Sequence, residues 1–472
     1  MPHVYIRCPE PAAFEAGFTR LRNDFAVPEE FPAEVLSEAL RAINSADQTA
    51  RRDATNIEFV AIDPKGSKDL DQVYHAERRS SGYRVHYGIA DVGRFVEPGS
   101  ALDREARARG LTFYAPDQRA PLHPEILSEA SASLLAGADR PAVLWTLDLD
   151  DSGRLVDVAT ERAVVRNRAQ LSYRSAQDQI GSSSGSESLQ LLKEIGQLRQ
   201  QLAAARGAVS LNLPGQELIK VDGRYYLEYD EVLPVEEWNA QISLLTGMAA
   251  ARMMMDAKVG LVRTLPPPDA KTLTRLRISS RALDVPFPDD EPYGDWVSSL
   301  NPTVPAHVAL MTQATHGLRG AGYQAFDGST PDHTEHAAIA ANYTHVTAPL
   351  RRLVDRFTSE IAVALSASRR PPGWVVDALP DLPKIMQKAR SRETRYERAL
   401  VDFSEALILA GRVGETFEAV VVDVDDPDAT IQLTEPAVVA SIDAGTLQLA
   451  DRIEVRLVST DTYTRLALFE SV

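Results

Sequence analysis

The stretch from residue 57 to residue 91, IEFVAIDPKGSKDLDQVYHAERRSSGYRVHYGIAD, constrains the fold most, because it makes two strands meet at a knot of negative charge. Ile57, Phe59 and Ala61 alternate with Glu58, Val60 and Ile62. Val85, Tyr87 and Ile89 repeat that period after the turn Ser80-Ser81-Gly82, so both runs predict strands with one face buried. Between them stand Asp63, Asp69 and Asp71. Three carboxylates within nine residues repel one another unless a cation lies between them. Hard oxygen donors of this kind suit Mg²⁺ or Mn²⁺ rather than zinc. A solvated turn is the competing reading, since Asp63-Pro64-Lys65-Gly66 is good turn chemistry by itself, and spacing alone leaves both open.

The segment IDPKGSKDLDQ resembles the signature of the ribonuclease II (RNB) family, in which an Asp, five intervening residues and then Asp-x-Asp-Asp line a metal-dependent exoribonuclease site. The likeness continues in the family's order through YRVHYGIADVGRFVEPGSALDREARARGLTFYAPDQRAPLHPEILSEASASLL, DSGRLVDVATERAVVRNRAQLSY, PVEEWNAQ and YTHVTAPLRRLVDR. It covers about residues 55 to 410, with a weaker likeness to a ribosomal S1-type barrel beyond. The resemblance implies a mixed α/β RNB catalytic domain at 53–411 and an all-β S1-type OB barrel that binds RNA at 412–472. It also implies 3′-to-5′ hydrolysis of single-stranded RNA to nucleoside 5′-monophosphates, with Mg²⁺ or Mn²⁺ as cofactor. Family members often carry two cold-shock barrels ahead of the catalytic domain. Residues 1–52 instead show helical stripes, Phe14, Phe18 and Leu21, then Phe31, Val35, Leu36, Ala39, Leu40 and Ile43. A small helical module, of helix-turn-helix type in one version, is therefore expected there.

By the same resemblance Asp63, Asp69 and Asp71 are catalytic and hold metal, with Gln72 at a fourth position where the family has Asp. An amide oxygen can still ligate Mg²⁺, but the site carries one negative charge fewer. Arg351 matches the family's catalytic arginine, whose planar donors clamp a phosphate and oppose charge in the transition state. Pro349 suits the first turn of a helix, whose free amides attract an anion. Arg352 is a candidate RNA contact, although an ion pair with Asp355 three residues on is the plainer reading. The segment departs from the family's T-S-P-I-R-R-Y at Ala348, Leu350 and Leu353, changes that bear on packing. Tyr114 and Tyr173 match RNA-contacting tyrosines, and stacking on a base is worth roughly 1–3 kcal/mol. Glu237 and Glu397 match contacts to the RNA end, although acids near a helix start also answer the helix dipole.

Charge bears on where RNA could lie. The chain of 472 residues has a formal net charge of -17, which argues against a surface generally coated by nucleic acid but leaves room for a local basic channel. Residues 341 to 400 hold 11 Lys and Arg against 6 Asp and Glu, whereas residues 414 to 472 hold 3 against 12. The single cysteine, Cys8, rules out an internal disulfide and fits a reducing compartment, so no disulfide-linked partner is expected. No run spans a bilayer and no secretory signal opens the chain, so a cytoplasmic location is expected.

Elsewhere, Pro98-Gly99-Ser100 followed by Asp103 predicts a capped helix to about Gly110, and Asp151-Ser152-Gly153 a hairpin turn within 143–173. Helices are expected over 189–202, 235–257, 269–281 and 382–411, and a surface loop over 281–304. GSSSGSES at 181–188 matches G-x-S-x-G but lacks the strand that a nucleophile elbow needs. His333 and His336 lack a third soft ligand for zinc, and Asp423, Asp425, Asp426 and Asp428 read as a solvated loop. The principal rival reading is a catalytically weak RNB-like protein that binds RNA ends, kept alive by Gln72. A small-substrate metal phosphatase would leave the aromatic and barrel features unused.

Overall fold

The computed structural model describes residues 10–472 apart from 48, 183–184, 210, 212–214, 222, 230–231, 302–303, 426 and 434, so Cys8, Ser183, Ser184 and Asp426 lie outside the described residues. A sheet forms the centre. The strands Phe59–Ile62, Gln72–Arg78, Tyr83–Ala90, Asp139–Leu149 and Leu155–Leu171 follow one another. Leu155–Leu171 pairs antiparallel with Asp139–Leu149 along its first part and parallel with Phe59–Ile62 near its end, so the strands close into a ring.

Period-two alternation sends side chains to two separate cores. Tyr74, Val85, Tyr87, Ile89, Val143, Trp145 and Leu147 face the helices Glu187–Ala205 and Pro234–Ala257. Phe59, Ala61, Val73, Ala90, Leu144 and Val165 face the other way, against Val35 and Ala39. Each large apolar side chain so buried contributes roughly 1.5–3 kcal/mol. A one-residue slip would exchange the two faces, so the register of the strands leading to the acidic loop is strongly specified.

The N-terminal helices belong to different cores. Phe14, Phe18 and Leu21 of Pro11–Asp24 pack with Tyr225, Tyr396 and Phe403 in the same core as Phe417, Val421 and Val455 of the C-terminal barrel. Gly17 allows this close approach, since a Cβ there would lie 1.9 Å from Cζ of Phe403. The second helix, Ala33–Asn44, buries Val35 and Ala39 but leaves Leu36 and Leu40 exposed.

The barrel is five antiparallel strands in the order Val439–Asp443, Asp428–Leu433, Thr416–Asp425, Arg452–Asp461, Leu466–Ser471, curled so that the outer two approach. Two expectations need correction. The stretch 281–304 contains the helix Tyr293–Ser299, because Trp296 stacks on Phe287 with centroids 4.2 Å apart and draws that segment into a small core. Asp423 is not solvated; it accepts hydrogen bonds from Arg275 (3.0 Å) and Gln313 (2.9 Å) and so ties the barrel to the body.

A second tie is Glu405, buried in the helix Leu382–Leu409, which accepts from the Val439 amide at 2.8 Å and the Gln216 amide at 2.6 Å. Burial pushes its carboxyl from 4.5 up to about 7. A raised folded value means that its contribution to stability is complete below pH 4.5 and is lost as pH climbs through about 7. Glu405→Gln should therefore be more stable than wild type at pH 8 by on the order of 1–3 kcal/mol, with the gap vanishing in acid. Melting curves across that range check it, and a gap independent of pH would refute it.

Candidate active site

The acidic loop leaves Ile62 and re-enters the sheet at Gln72, and its backbone is tied at several points. The Asp63 amide donates to Leu171 O at 3.1 Å, the Leu70 amide to Ser133 Oγ at 2.9 Å, and the Ala90 amide to Asp71 O at 2.9 Å. These bonds fix where the three carboxylates point.

Each carboxylate meets a different environment. Asp71 is buried; its Oδ1 accepts from the Leu350 amide at 2.7 Å and its Oδ2 from Arg351 Nε at 3.2 Å. Burial drives its pKa up to about 8 against the pull of Arg351. Asp69 accepts from Arg119 Nη1 at 2.6 Å on Oδ1 and from the Tyr114 hydroxyl at 3.1 Å on Oδ2. The Asp63 carboxylate has no hydrogen-bond partner among the described residues, and burial raises it to about 7, with Arg351 opposing and Asp69 adding to the rise. Gln72 donates its amide to Thr347 O at 2.5 Å, leaving its oxygen uncommitted to that bond.

The helix after the arginine pair starts later than expected. Its first residue is Leu353, and Pro349 to Arg352 form a turn. The cause is that the turn's amides are spent on carboxylates: Leu350 N on Asp71 and Ala348 N on Asp355 Oδ1 at 2.7 Å. Arg352 is held by Asp355, with Nη2 2.7 Å from Oδ1. Arg351 remains half-exposed beside Asp71; burial lowers its pKa, and Asp71 with Tyr114 and Asp355 together raise it above its ordinary value.

Around this cluster the other expected residues are spread. Tyr173 opens the helix Tyr173–Gly181, capped by Ser172, and burial and the nearby Asp63 push its hydroxyl up to about 12. Tyr114 is 43% exposed, an accessible aromatic face whose hydroxyl is anchored on Asp69. Glu237 accepts from Gln200 Nε2 at 2.8 Å. Glu397 is exposed, and it is Glu393, one turn earlier, that joins the cavity described next.

A cavity of about 360 Å³ opens beside the cluster, with Arg351 and Tyr114 belonging to both. Arg263, Arg352, Arg390 and Tyr323 also line it. Its histidines are held neutral: burial lowers His336 to about 4 and, with Arg352 and Arg263 adding to the effect, His345 well below its ordinary value. Arg352 and Arg390 lie in the basic segment 341–400; Arg263 comes from the strand Val259–Thr264, where no local pattern marked it. Arg119 was also missed, and the one available signal was its place across a short turn from Tyr114.

The donor set fits a hard divalent cation in part. Among the described residues no three His, Cys, Asp or Glu side chains form a ready-made metal cage. Mg²⁺, however, is commonly held by one or two carboxylates plus water and substrate phosphate. Asp63, without a hydrogen-bond partner among the described residues, and the buried Asp71 are the two carboxylates that could supply that pair.

Comparison with known proteins agrees with this architecture. The RNB domain model matches residues 51–365, and the model of the RNase II-type exonuclease C-terminal S1 domain matches 415–472. The chain is 26% identical to ribonuclease R of Vibrio cholerae over 449 residues, 87% of this chain and 53% of that protein. It spans about half the length, or less, of the curated relatives it matches first. Ribonuclease R of Mycoplasma genitalium superimposes with a TM-score of 0.88 at 19% identity, covering 97% of this chain and 78% of that one, and a complex of that protein with ribose-methylated single-stranded RNA with 0.87. Yeast Ssd1, described as a pseudonuclease, gives 0.71 at 17% identity, covering 94% and 58%. No described helix is long and apolar enough to cross a membrane. A sheet that delivers three aspartates to one loop and an arginine turn that meets them, both within the RNB domain match, and a terminal barrel within the S1 domain match, place this chain in the RNB family of ribonuclease II and ribonuclease R type.

Proposed function

We propose that this protein is a 3′-to-5′ exoribonuclease that hydrolyses single-stranded RNA to nucleoside 5′-monophosphates. The observation that carries the reading is that Arg351 joins Asp71 to a cavity lined by three further arginines, which is what a phosphodiester beside a hydrolytic centre requires. The catalytic unit is residues 53–411 and the RNA-binding barrel 412–472, with the first helix of 1–52 packed in the barrel's core and the second against the sheet.

Asp63 and Asp71, with the Gln72 oxygen, would hold Mg²⁺ or Mn²⁺. When bound, the ion supplies charge neutralisation at the phosphate and a more acidic water. The chain's own groups do the rest. Leu350 N and Arg351 orient Asp71; Arg351, with a guanidinium already fixed on one side, offers its remaining donors to the equatorial oxygens of the phosphate, where charge develops. Water adds to phosphorus and the 3′ oxygen of the preceding nucleotide leaves, so the released piece keeps its 5′ phosphate. Tyr114 presents its face to the last base, Tyr173 lies near Asp63 for a neighbouring nucleotide, and Glu237, Arg352 and Glu397 are the further RNA contacts proposed.

The alternative, an RNA-end binder of weak activity, rests on Gln72, whose amide is bonded to Thr347 and adds no charge for a cation. A 5′-labelled single-stranded RNA incubated with and without Mg²⁺ separates them. Stepwise shortening that needs the ion supports the enzyme; retention of intact RNA by its 3′ end supports the binder. In the same assay Tyr114→Ala should leave a longer final fragment, because losing roughly 1–3 kcal/mol of stacking lets short products escape earlier. An unchanged end product would remove Tyr114 from the base-holding role.

A further inference from the structure

We propose that Arg119 is a built-in counter-cation for Asp69 that takes the place of a second divalent ion, so that the site works with one metal ion per chain. The inference rests on the exoribonuclease reading only in placing an ion at Asp63 and Asp71. Arg119 and Tyr114 face each other across the short hairpin Phe113–Tyr114 and Arg119–Ala120, and both reach Asp69, occupying its two oxygens. The other terminal nitrogen of Arg119 is paired with Glu129, in the helical turn Leu127–Ser131. The guanidinium is therefore held from the strand side, by Asp69 and by Glu129, with its side chain only 23% exposed.

Charge makes the same point. Arg119 stands between Asp69 and Glu129, Arg351 stands beside Asp71, and Arg352 is already matched by Asp355, so Asp69 has its counter-charge from the chain itself. A second ion on Asp69 would sit against the guanidinium of a 2.6 Å pair, a repulsion that grows as water is excluded. Gln72 agrees in sign, because a site that must balance a single ion has less need of a carboxylate there.

Counting Mn²⁺ bound to the full chain without RNA, from the electron paramagnetic resonance signal of the free ion, tests this independently of turnover. Wild type should bind one ion per chain, and Asp69→Asn should still bind one, more weakly for the nearby charge it loses, since Asp69 is not a ligand. Arg119→Gln, which frees Asp69, should bind two; Arg119→Lys, which keeps the charge, should bind one. Two ions on wild type, none on wild type, a loss of the ion in Asp69→Asn, or one ion on a folded Arg119→Gln would each overturn the proposal. Should Arg119→Gln not fold, wild type and Asp69→Asn decide alone. RNA hydrolysis with two ions bound defeats this inference and leaves the enzyme reading standing; one ion with no hydrolysis does the reverse.

Discussion

Asp71→Asn should eliminate RNA hydrolysis while binding of single-stranded RNA survives or tightens. In the wild type both oxygens of this buried carboxylate are used, one by the Leu350 amide and one by Arg351 Nε. An asparagine can keep one of those bonds, but its NH₂ then confronts the Arg351 donor, and the charge that would hold a divalent ion is gone. The loss in the single-turnover rate should exceed about 10³-fold, because the ion's place and the arginine's orientation fail together. Affinity should not fall, since removing a negative charge lessens repulsion of phosphate. Single-turnover rates with a binding isotherm for the same RNA decide it, and a rate within about tenfold of wild type would mean that hydrolysis does not run through Asp71.

Arg351→Ala should lower the chemical step by about 10²–10³-fold and change affinity little, as expected for a preorganised donor that matters most when charge develops. The cavity keeps Arg263, Arg352 and Arg390, so the ground state retains most of its phosphate contacts. Arg351 also opposes the rise in Asp71's pKa, so its loss should move the acid limb of the pH–rate profile to higher pH. Arg351→Lys restores charge without the planar fork, and should recover only part of the rate. A variant that merely binds more weakly, at wild-type rate once saturated, would instead favour the RNA-end binder.

Much of this arrangement was legible in the chain because it is local. The alternation of Phe59 and Ala61 with Val60 and Ile62, and of Val85, Tyr87 and Ile89, was enough to place the strand that enters the acidic loop and the one beyond the next turn, but not Gln72–Arg78, the strand that leaves the loop. The Ser100 cap was equally plain, since its oxygen and the Asp103 amide it serves are three residues apart. What could not be read was partnership at a distance. Nothing near Leu350 says that its amide belongs to Asp71, and so the helix was expected to start too early. Arg119 stood in full view, but whether it turned to Asp69 or to solvent depends on how its hairpin docks, which no periodicity reports. Trp296 carried the opposite lesson, that one large side chain can organise a stretch whose composition reads as loop.

The bond from the Leu350 amide to Asp71 joins residues 279 positions apart, and that from Arg351 spans 280. On a ribosome, the acidic loop therefore emerges long before the turn that completes it. About three quarters of the chain must be made before Arg351 exists, and more before it clears the exit tunnel. Until then Asp71 lacks both groups that, among the described residues, bond its carboxylate, and the growing chain carries the acidic loop without the turn that orients it. On the reading proposed above, a chain that stops before residue 350 should therefore be inert toward RNA.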